Sequence, residues 1–178
     1  MRIVGGQFRG RQFHPGKSFK ARPTTDMAKE SLFNILMNQV DFEEISVLDL
    51  FSGTGSISFE FISRGCQQVT AVELNYQHFQ FIKSVIEKLD VKQQLRAIKA
   101  NVFQYCEKTT NQFNLVFADP PYDHKRFEEV PKLVLGNDLL KKDGIFILEH
   151  SKNYNFSDYT EWIETRHYGS VHFSFFKK

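Results

Sequence analysis

One segment constrains this chain more than any other: Val47-Leu48-Asp49-Leu50-Phe51-Ser52-Gly53-Thr54-Gly55-Ser56. An apolar strand runs straight into two glycines one residue apart, and then into a stretch that reads as a helix. Glycine reaches backbone angles barred to other residues and lets a ligand approach the main chain closely. The helical stretch ends at Arg64-Gly65, where the glycine supplies a C-terminal cap. A strand, a glycine corner and a helix in that order predict one unit of an open α/β sheet.

The rest of the chain repeats the unit. Strands are predicted at Ile45 to Phe51, Val69 to Glu73, Leu95 to Ala100, Phe113 to Ala118 and Gly144 to Glu149. Between the second and third, Phe79, Ile82, Ile86 and Leu89 fall along one helical stripe. Residues 124–137 read as a helix that Pro131 should kink or split. The end of the chain, Glu161 to Phe176, alternates as two strands about Gly169-Ser170, a hairpin. Near-continuous apolar strands, each followed by a helix, predict a parallel sheet covered on both faces. The expected fold is therefore a doubly wound, seven-stranded, mostly parallel sheet with an antiparallel hairpin at its edge.

The first 25 residues differ. Gly5-Gly6, Gly10 and Pro15-Gly16 punctuate them as turns, with short hairpin strands at Met1 to Val4 and Gln12-Phe13. A helix then starts at a cap supplied by Thr24, Thr25 or Asp26, with Ala28, Leu32, Ile35 and Leu36 on one face. Residues 1–29 hold seven basic side chains against the single acid Asp26, a net +6 in a chain whose total is +2. A basic extension on a mildly acidic body is the footprint of a protein that meets a polyanion at one end. The organisation expected is a basic hairpin arm over 1–25 and one α/β domain over 26–178.

Several classes are excluded. No apolar run approaches the ~18–20 residues of a membrane helix, and the start lacks a secretory signal, so a cytoplasmic protein is expected. Cys66 and Cys106 stand far apart and read as free thiols rather than a disulfide scaffold. The six histidines show no metal-ligand spacing, and no metal is expected.

The glycine corner carries chemistry. N–H groups at the start of the following helix favour an anionic group. Glu73 ends the next strand, 20 residues after Gly53, where an acid can accept both hydroxyls of an adenosine ribose. These features predict a nucleoside-containing cofactor at the carboxyl ends of the first two strands. A dinucleotide fingerprint wants a third glycine where Ser58 stands. Asp49 would repel a pyrophosphate but suits the ammonium of S-adenosylmethionine, so the residues favour the methyl donor over NAD. Asn101, after the third strand, could bond the adenine edge.

The second chemical segment is Ala118-Asp119-Pro120-Pro121-Tyr122. Two prolines fix the backbone and remove two N–H donors, leaving carbonyls without competing hydrogens. The exocyclic amine of a nucleobase is a poor nucleophile, because its lone pair is delocalised into the ring. The Asp119 carboxylate and the Pro120 carbonyl can grip both N–H bonds and free that lone pair. Tyr122 can stack on the base, worth ~1–3 kcal/mol.

Together these motifs are familiar. Asp49 to Gly55 and Ala118 to Tyr122 resemble motifs I and IV of amino-group methyltransferases. The start, Met1-Arg-Ile-Val-Gly-Gly-Gln-Phe-Arg-Gly-Arg11, with Arg22-Pro-Thr-Thr-Asp26 and Glu30-Ser-Leu-Phe-Asn34, resembles the RsmD family across essentially the whole chain. That family methylates the 2-amino group of a guanine in bacterial small-subunit ribosomal RNA. The resemblance implies S-adenosylmethionine contacts at Asp49, Gly53, Gly55, Glu73 and Asn101, and at their neighbours Phe51, Ser52, Leu74 and Val102. It implies catalytic roles for Asp119, Pro120 and Tyr122 at the target base, and RNA contacts by Arg9, Arg11 and Arg22. The implied partner is 16S ribosomal RNA or the small subunit, and the small size of the chain allows a monomer. The chain departs from the family in having Met27 where Arg is usual, Lys29 where a second Arg is common, and Ser52 where Ala is frequent. Rival readings are the same chemistry on adenine N6 of DNA or RNA, an NAD-dependent oxidoreductase, or a non-catalytic RNA-binding or ribosome-assembly protein.

Overall fold

The computed structural model describes residues 1–16 and 25–178. Arg22 and the candidate cap Thr24 lie outside the described residues. In chain order the elements are α1 (Asp26–Leu36), β1 (Ser46–Leu50), α2 (Ser56–Ser63), β2 (Gln68–Glu73), α3 (Tyr76–Leu89), β3 (Leu95–Lys99) and α4 (Val102–Lys108). There follow β4 (Phe113–Ala118), a 3-10 turn (Phe127–Glu129), α5 (Val130–Gly136), β5 (Leu140–His150), β6 (Trp162–Tyr168) and β7 (Val171–Lys177). The seven strands form one sheet in the order β3-β2-β1-β4-β5-β7-β6. β1 to β5 pair in parallel, and the terminal hairpin adds β7 antiparallel to β5 with β6 outside it.

Period-two alternation divides the strands between two cores. Val47, Leu115, Phe117, Ile147 and Phe173 face one side, with Leu32 and Phe33 of α1, Phe59 of α2 and Ile82 of α3. Leu48, Leu50, Val72, Val116, Phe146 and Phe176 face the other, with Phe103 of α4 and Val130 and Val134 of α5. Phe33, Phe42 and Phe61 meet edge-on or tilted at 4.8–6.0 Å. Thr25 caps α1 by accepting from the Ala28 N–H at 3.2 Å.

The structure differs from expectation in three elements. α4 was not anticipated; at seven residues it is too short to show a helical period, and Asn101 caps it. The helix expected over 124–137 begins at Val130, preceded by the 3-10 turn, with Pro131 in the first turn of α5 rather than kinking a longer helix. β5 starts at Leu140 rather than Gly144, because Leu140 pairs with Phe113 across a register shift.

The N-terminal hairpin is docked rather than free. Arg2 and Gln12 form the antiparallel bridge, and Ile3 is buried in the α1–α2–α3 core. Two of its amides bond Ser63 of α2: Gln7 N–H to the carbonyl at 2.7 Å and Phe8 N–H to Oγ at 2.9 Å. Gly6 has φ +71°, and a Cβ there would stand 1.8 Å from the Ser63 carbonyl oxygen, so only glycine permits this approach. Underneath, the fully buried Glu60 accepts from the Val4 N–H at 2.6 Å and pairs with Lys29 at 3.5 Å and with Arg64. Lys29 also donates to the Arg2 carbonyl. Lys29 is thus a buried strut between α1, α2 and the hairpin, not a surface contact for RNA.

Candidate active site

The strand order reverses between β1 and β4, and there the carboxyl ends of the strands open into a cavity of ≈ 1170 Å³. In open α/β sheets such a switch point is where ligands bind. The volume exceeds what one small ligand needs. Its floor is held by a zipper of main-chain bonds across the strand ends. Ser52 N–H donates to Val72 O at 3.1 Å, Ala100 N–H to Glu73 O at 3.2 Å, and Asp119 N–H to Leu50 O at 3.3 Å.

Register and pleat decide which side chains reach the cavity. Asp49 pairs with Phe117 and with Ala71, and Phe117 pairs with Ile147. Glu73 and Glu149 lie two residues beyond Ala71 and Ile147, so both share the face of Asp49. Asp119, two beyond Phe117, leaves β4 on that face as well. Carboxyl groups therefore end four adjacent strands, β2, β1, β4 and β5, and all line the same cavity.

On the β1–β2 side the acids are held by the chain itself. Glu73 accepts from the Gly53 N–H at 2.8 Å and the Asn75 N–H at 2.7 Å, which ties the glycine corner to the end of β2. Asp49 accepts from both the hydroxyl and the N–H of Ser58. The residue that breaks the dinucleotide fingerprint is thus the partner of the Asp49 carboxylate, a role the spacing alone did not reveal. Burial pushes the Asp49 carboxyl up to about 7, against the pull of the Ser58 hydroxyl and amide, with Glu73 adding to the rise. Phe51 has φ +58°, a conformation that costs a bulky residue ~1–3 kcal/mol. Its ring meets Phe103 at 6.2 Å and His124 at 5.9 Å, while His124 stacks on Phe103 at 5.5 Å. The Arg126 guanidinium covers Phe103 at 3.8 Å. These rings form an aromatic wall on the side of Asn101 and Val102, which also line the cavity. Asn101 spends its side-chain oxygen on the Gln104 N–H at 3.2 Å, so it caps α4 as well as facing the site.

On the β4–β5 side the acids crowd each other. Burial holds the Asp119 carboxyl well above its ordinary value, and the carboxylates of Glu149 and Asp49 push it further. Tyr122 donates its hydroxyl to Glu149 Oε1 at 3.3 Å and is partly exposed at the mouth. Its backbone is fixed by the Tyr154 hydroxyl, which donates to the Tyr122 carbonyl at 2.9 Å. Among the described lining residues Lys152 is the one lysine or arginine.

Most of the expected site residues meet here: Asp49, Phe51, Ser52, Gly53, Glu73, Leu74, Asn101 and Val102 on one side, and Asp119, Pro120 and Tyr122 on the other. Gly55 does not line the cavity. It caps α2 at φ +73°, and a Cβ there would stand 3.0–3.1 Å from Phe59 and Ile82, so its need for glycine comes from conformation and packing below the wall. Arg9 and Arg11 are exposed on the docked hairpin, with Arg11 over the Phe8 ring at 5.3 Å. Glu149 was missed by the sequence reading, although an acid closing an apolar strand is the signal that marked Glu73. Cys66 and Cys106 are free and buried, and burial pushes the Cys106 thiol up to about 12, so neither is a reactive nucleophile. Among the described residues there is no cluster able to hold a metal and no helix long and apolar enough to cross a membrane.

Sheet order and switch-point cavity together define the class I methyltransferase fold. An Escherichia coli protein described as a candidate methyltransferase, yhhF, superposes with a TM-score of 0.87 at 26% identity, covering 100% of this chain and 97% of that one. The chain is also 33% identical over 156 residues to ribosomal RNA small subunit methyltransferase D of Haemophilus influenzae, covering 86% of this chain and 80% of that protein. The protein of the same name from Escherichia coli K12 is 30% identical over 149 residues, covering 84% and 74%. A family model described as Conserved hypothetical protein 95 matches residues 1–177. The chain belongs to that family, the RsmD family of ribosomal RNA methyltransferases.

Proposed function

We propose that this protein transfers a methyl group from S-adenosylmethionine to the exocyclic N2 amine of a guanine in 16S ribosomal RNA. One observation carries the reading: the Asp119-Pro120-Tyr122 corner and the Asp49-Gly53-Glu73 corner line a single cavity, on strands that are neighbours at the switch point. The residues fit the cofactor by their chemistry. Glu73 keeps acceptor capacity for ribose hydroxyls while it braces the glycine corner, Asp49 offers a carboxylate to an ammonium, and the Phe51–Phe103–His124 wall suits an adenine ring. When bound, the cofactor supplies an electrophilic methyl carbon on a sulfonium.

The acceptor side does the rest. Asp119 and the Pro120 carbonyl accept the two N–H bonds of the amine and turn its lone pair towards the methyl carbon. A sulfonium held by Asp49, Gly53 and Glu73 would give up that carbon and keep the electron pair of its own bond. The nitrogen then carries one proton too many, and Asp119, whose burial and acidic neighbours favour the protonated form, receives it. A base stacked on Tyr122 must be extruded from a helix or presented in a loop. The relatives named for the small-subunit RNA, with exposed Arg9 and Arg11 on the basic extension, support ribosomal RNA as the polyanion. Thr25 lines the cavity and Arg2 pairs with the adjoining Asp26 at 3.6 Å, so the hairpin begins at the cavity rim. Membership of the family and the acid-lined corner favour methyl transfer over a merely binding protein.

The test is to incubate the protein with tritiated S-adenosylmethionine and small ribosomal subunits not methylated beforehand, then map the label. The expected product is N2-methylguanine at one position of the 16S RNA. Label on adenine N6 would transfer the chemistry to the other base, and no label on any RNA would refute the reading.

A further inference from the structure

Deepening that reading, and resting on it, we infer that Lys152, on the loop after β5, binds a backbone phosphate of the RNA beside the target nucleotide. A base that enters the cavity brings its ribose and phosphate with it, and acids repel a phosphate. Carboxyl groups end β2, β1, β4 and β5, in that spatial order, at Glu73, Asp49, Asp119 and Glu149. With the amine at Asp119, the direction towards β1 and β2 is taken up by the cofactor and two more acids. The other direction along the row leads past β5 to β7.

There the row of acids stops. β7 runs antiparallel to β5 with His150 opposite His172, and that register, carried past the strand ends, sets Lys152 opposite Ser170. Residues 151–153 and the β6–β7 turn at 169–172 all line the cavity. They form a polar shelf next to the acceptor corner, and its cation is Lys152, the one lysine or arginine among the described lining residues. The loop is braced where it leaves the sheet. His150 Nδ1 lies 2.8 Å from the Ser151 carbonyl, which also accepts from the Tyr154 N–H at 3.3 Å. The Tyr154 ring stacks on Phe127 at 4.1 Å, and its hydroxyl ties the loop to the Tyr122 carbonyl. Lys152 is exposed at this rim, a mobile point charge on a fixed base. Such a charge suits a phosphate, and it sets the position of the RNA without reading sequence.

The test sets charge against salt. The affinity of the full-length protein for unmethylated small subunits, with S-adenosylhomocysteine present, is measured between about 50 and 200 mM salt, and methyl transfer is assayed in parallel. Lys152→Gln should weaken subunit binding about tenfold at the low end, and should make the plot of log affinity against log salt shallower by about 0.7–0.9. KM for the subunits should rise while kcat at saturation and S-adenosylhomocysteine affinity stay at the wild-type level. Lys152→Arg keeps the charge and should restore both affinity and slope. Lys92→Gln removes the same charge between α3 and β3, at the amino ends of the strands, and should match the wild type. A Lys152→Gln slope equal to that of the wild type overturns the inference, as does an equal change in Lys92→Gln. Loss of S-adenosylhomocysteine affinity in Lys152→Gln would assign the lysine to the cofactor carboxylate, and overturns it too. Failure of the wild type to methylate small-subunit RNA at all would instead overturn the proposed function, and this inference with it.

Discussion

The two sides of the cavity solve opposite problems with the same residue type. On the β1–β2 side, Glu73 and Asp49 are satisfied in advance by Gly53, Asn75 and Ser58, all within a short stretch of chain. On the β4–β5 side, Asp119 and Glu149 are buried next to one another, and the Asp119 carboxyl is driven well above its usual value. The first side is ordered before any ligand arrives. The second holds two buried acids side by side, so donor groups that reach the Asp119 carboxyl count for more there than they would in water. Preorganisation thus serves the cofactor, and electrostatic demand serves the acceptor.

The largest effect should separate the sides completely. Asp119→Ala should lower the rate of methyl transfer by about 10³-fold, while S-adenosylhomocysteine affinity, read by calorimetry, stays within about threefold. Loss of cofactor binding in that variant would mean the two corners are not independent.

A pH titration sharpens the contrast from the other side. On the proposed reading Asp49 pairs with the cofactor ammonium only when ionised, and burial pushes its carboxyl up to about 7. Cofactor affinity should therefore weaken as pH falls below 7, by up to about tenfold per unit, and Asp49→Asn should flatten the profile. The stability of the ligand-free protein should move the opposite way. A folded carboxyl raised above its unfolded value stabilises below the ordinary carboxylate range, and that contribution is lost as pH rises through about 7. The smallest expected effect is at Asn101. Its replacement by Ala removes a helix cap worth ~1 kcal/mol, seen as a modest fall in melting temperature with a cofactor affinity change below about tenfold.

The sequence made β1, β2, β4 and the end of β5 legible because each is a short apolar run with an acid at or near its close, whereas β3 is Leu-Arg-Ala-Ile-Lys and shows only alternation. Asp49, Glu73 and Asp119 stood out for the same reason. Glu149 closes Phe146-Ile147-Leu148 in the same way, but a site needs the strand order before that position acquires a neighbour. Ser58 and the Lys29–Glu60–Arg64 cluster were hidden for a different reason. Their meaning lies in contacts between elements, and neither a serine in a helix nor a charged residue on one announces a buried partner. The first residues of β5, Lys141, Lys142 and Asp143, are exposed and polar, so nothing in their pattern distinguishes strand from loop.

The most direct measurement is a crystal structure with S-adenosylhomocysteine bound. The account requires ribose hydroxyls on Glu73, the ammonium against Asp49, and the sulfur turned towards the Asp119 carboxylate across open space fit for one purine edge. An adenosine seated elsewhere, or a sulfur facing away from Asp119, would contradict it.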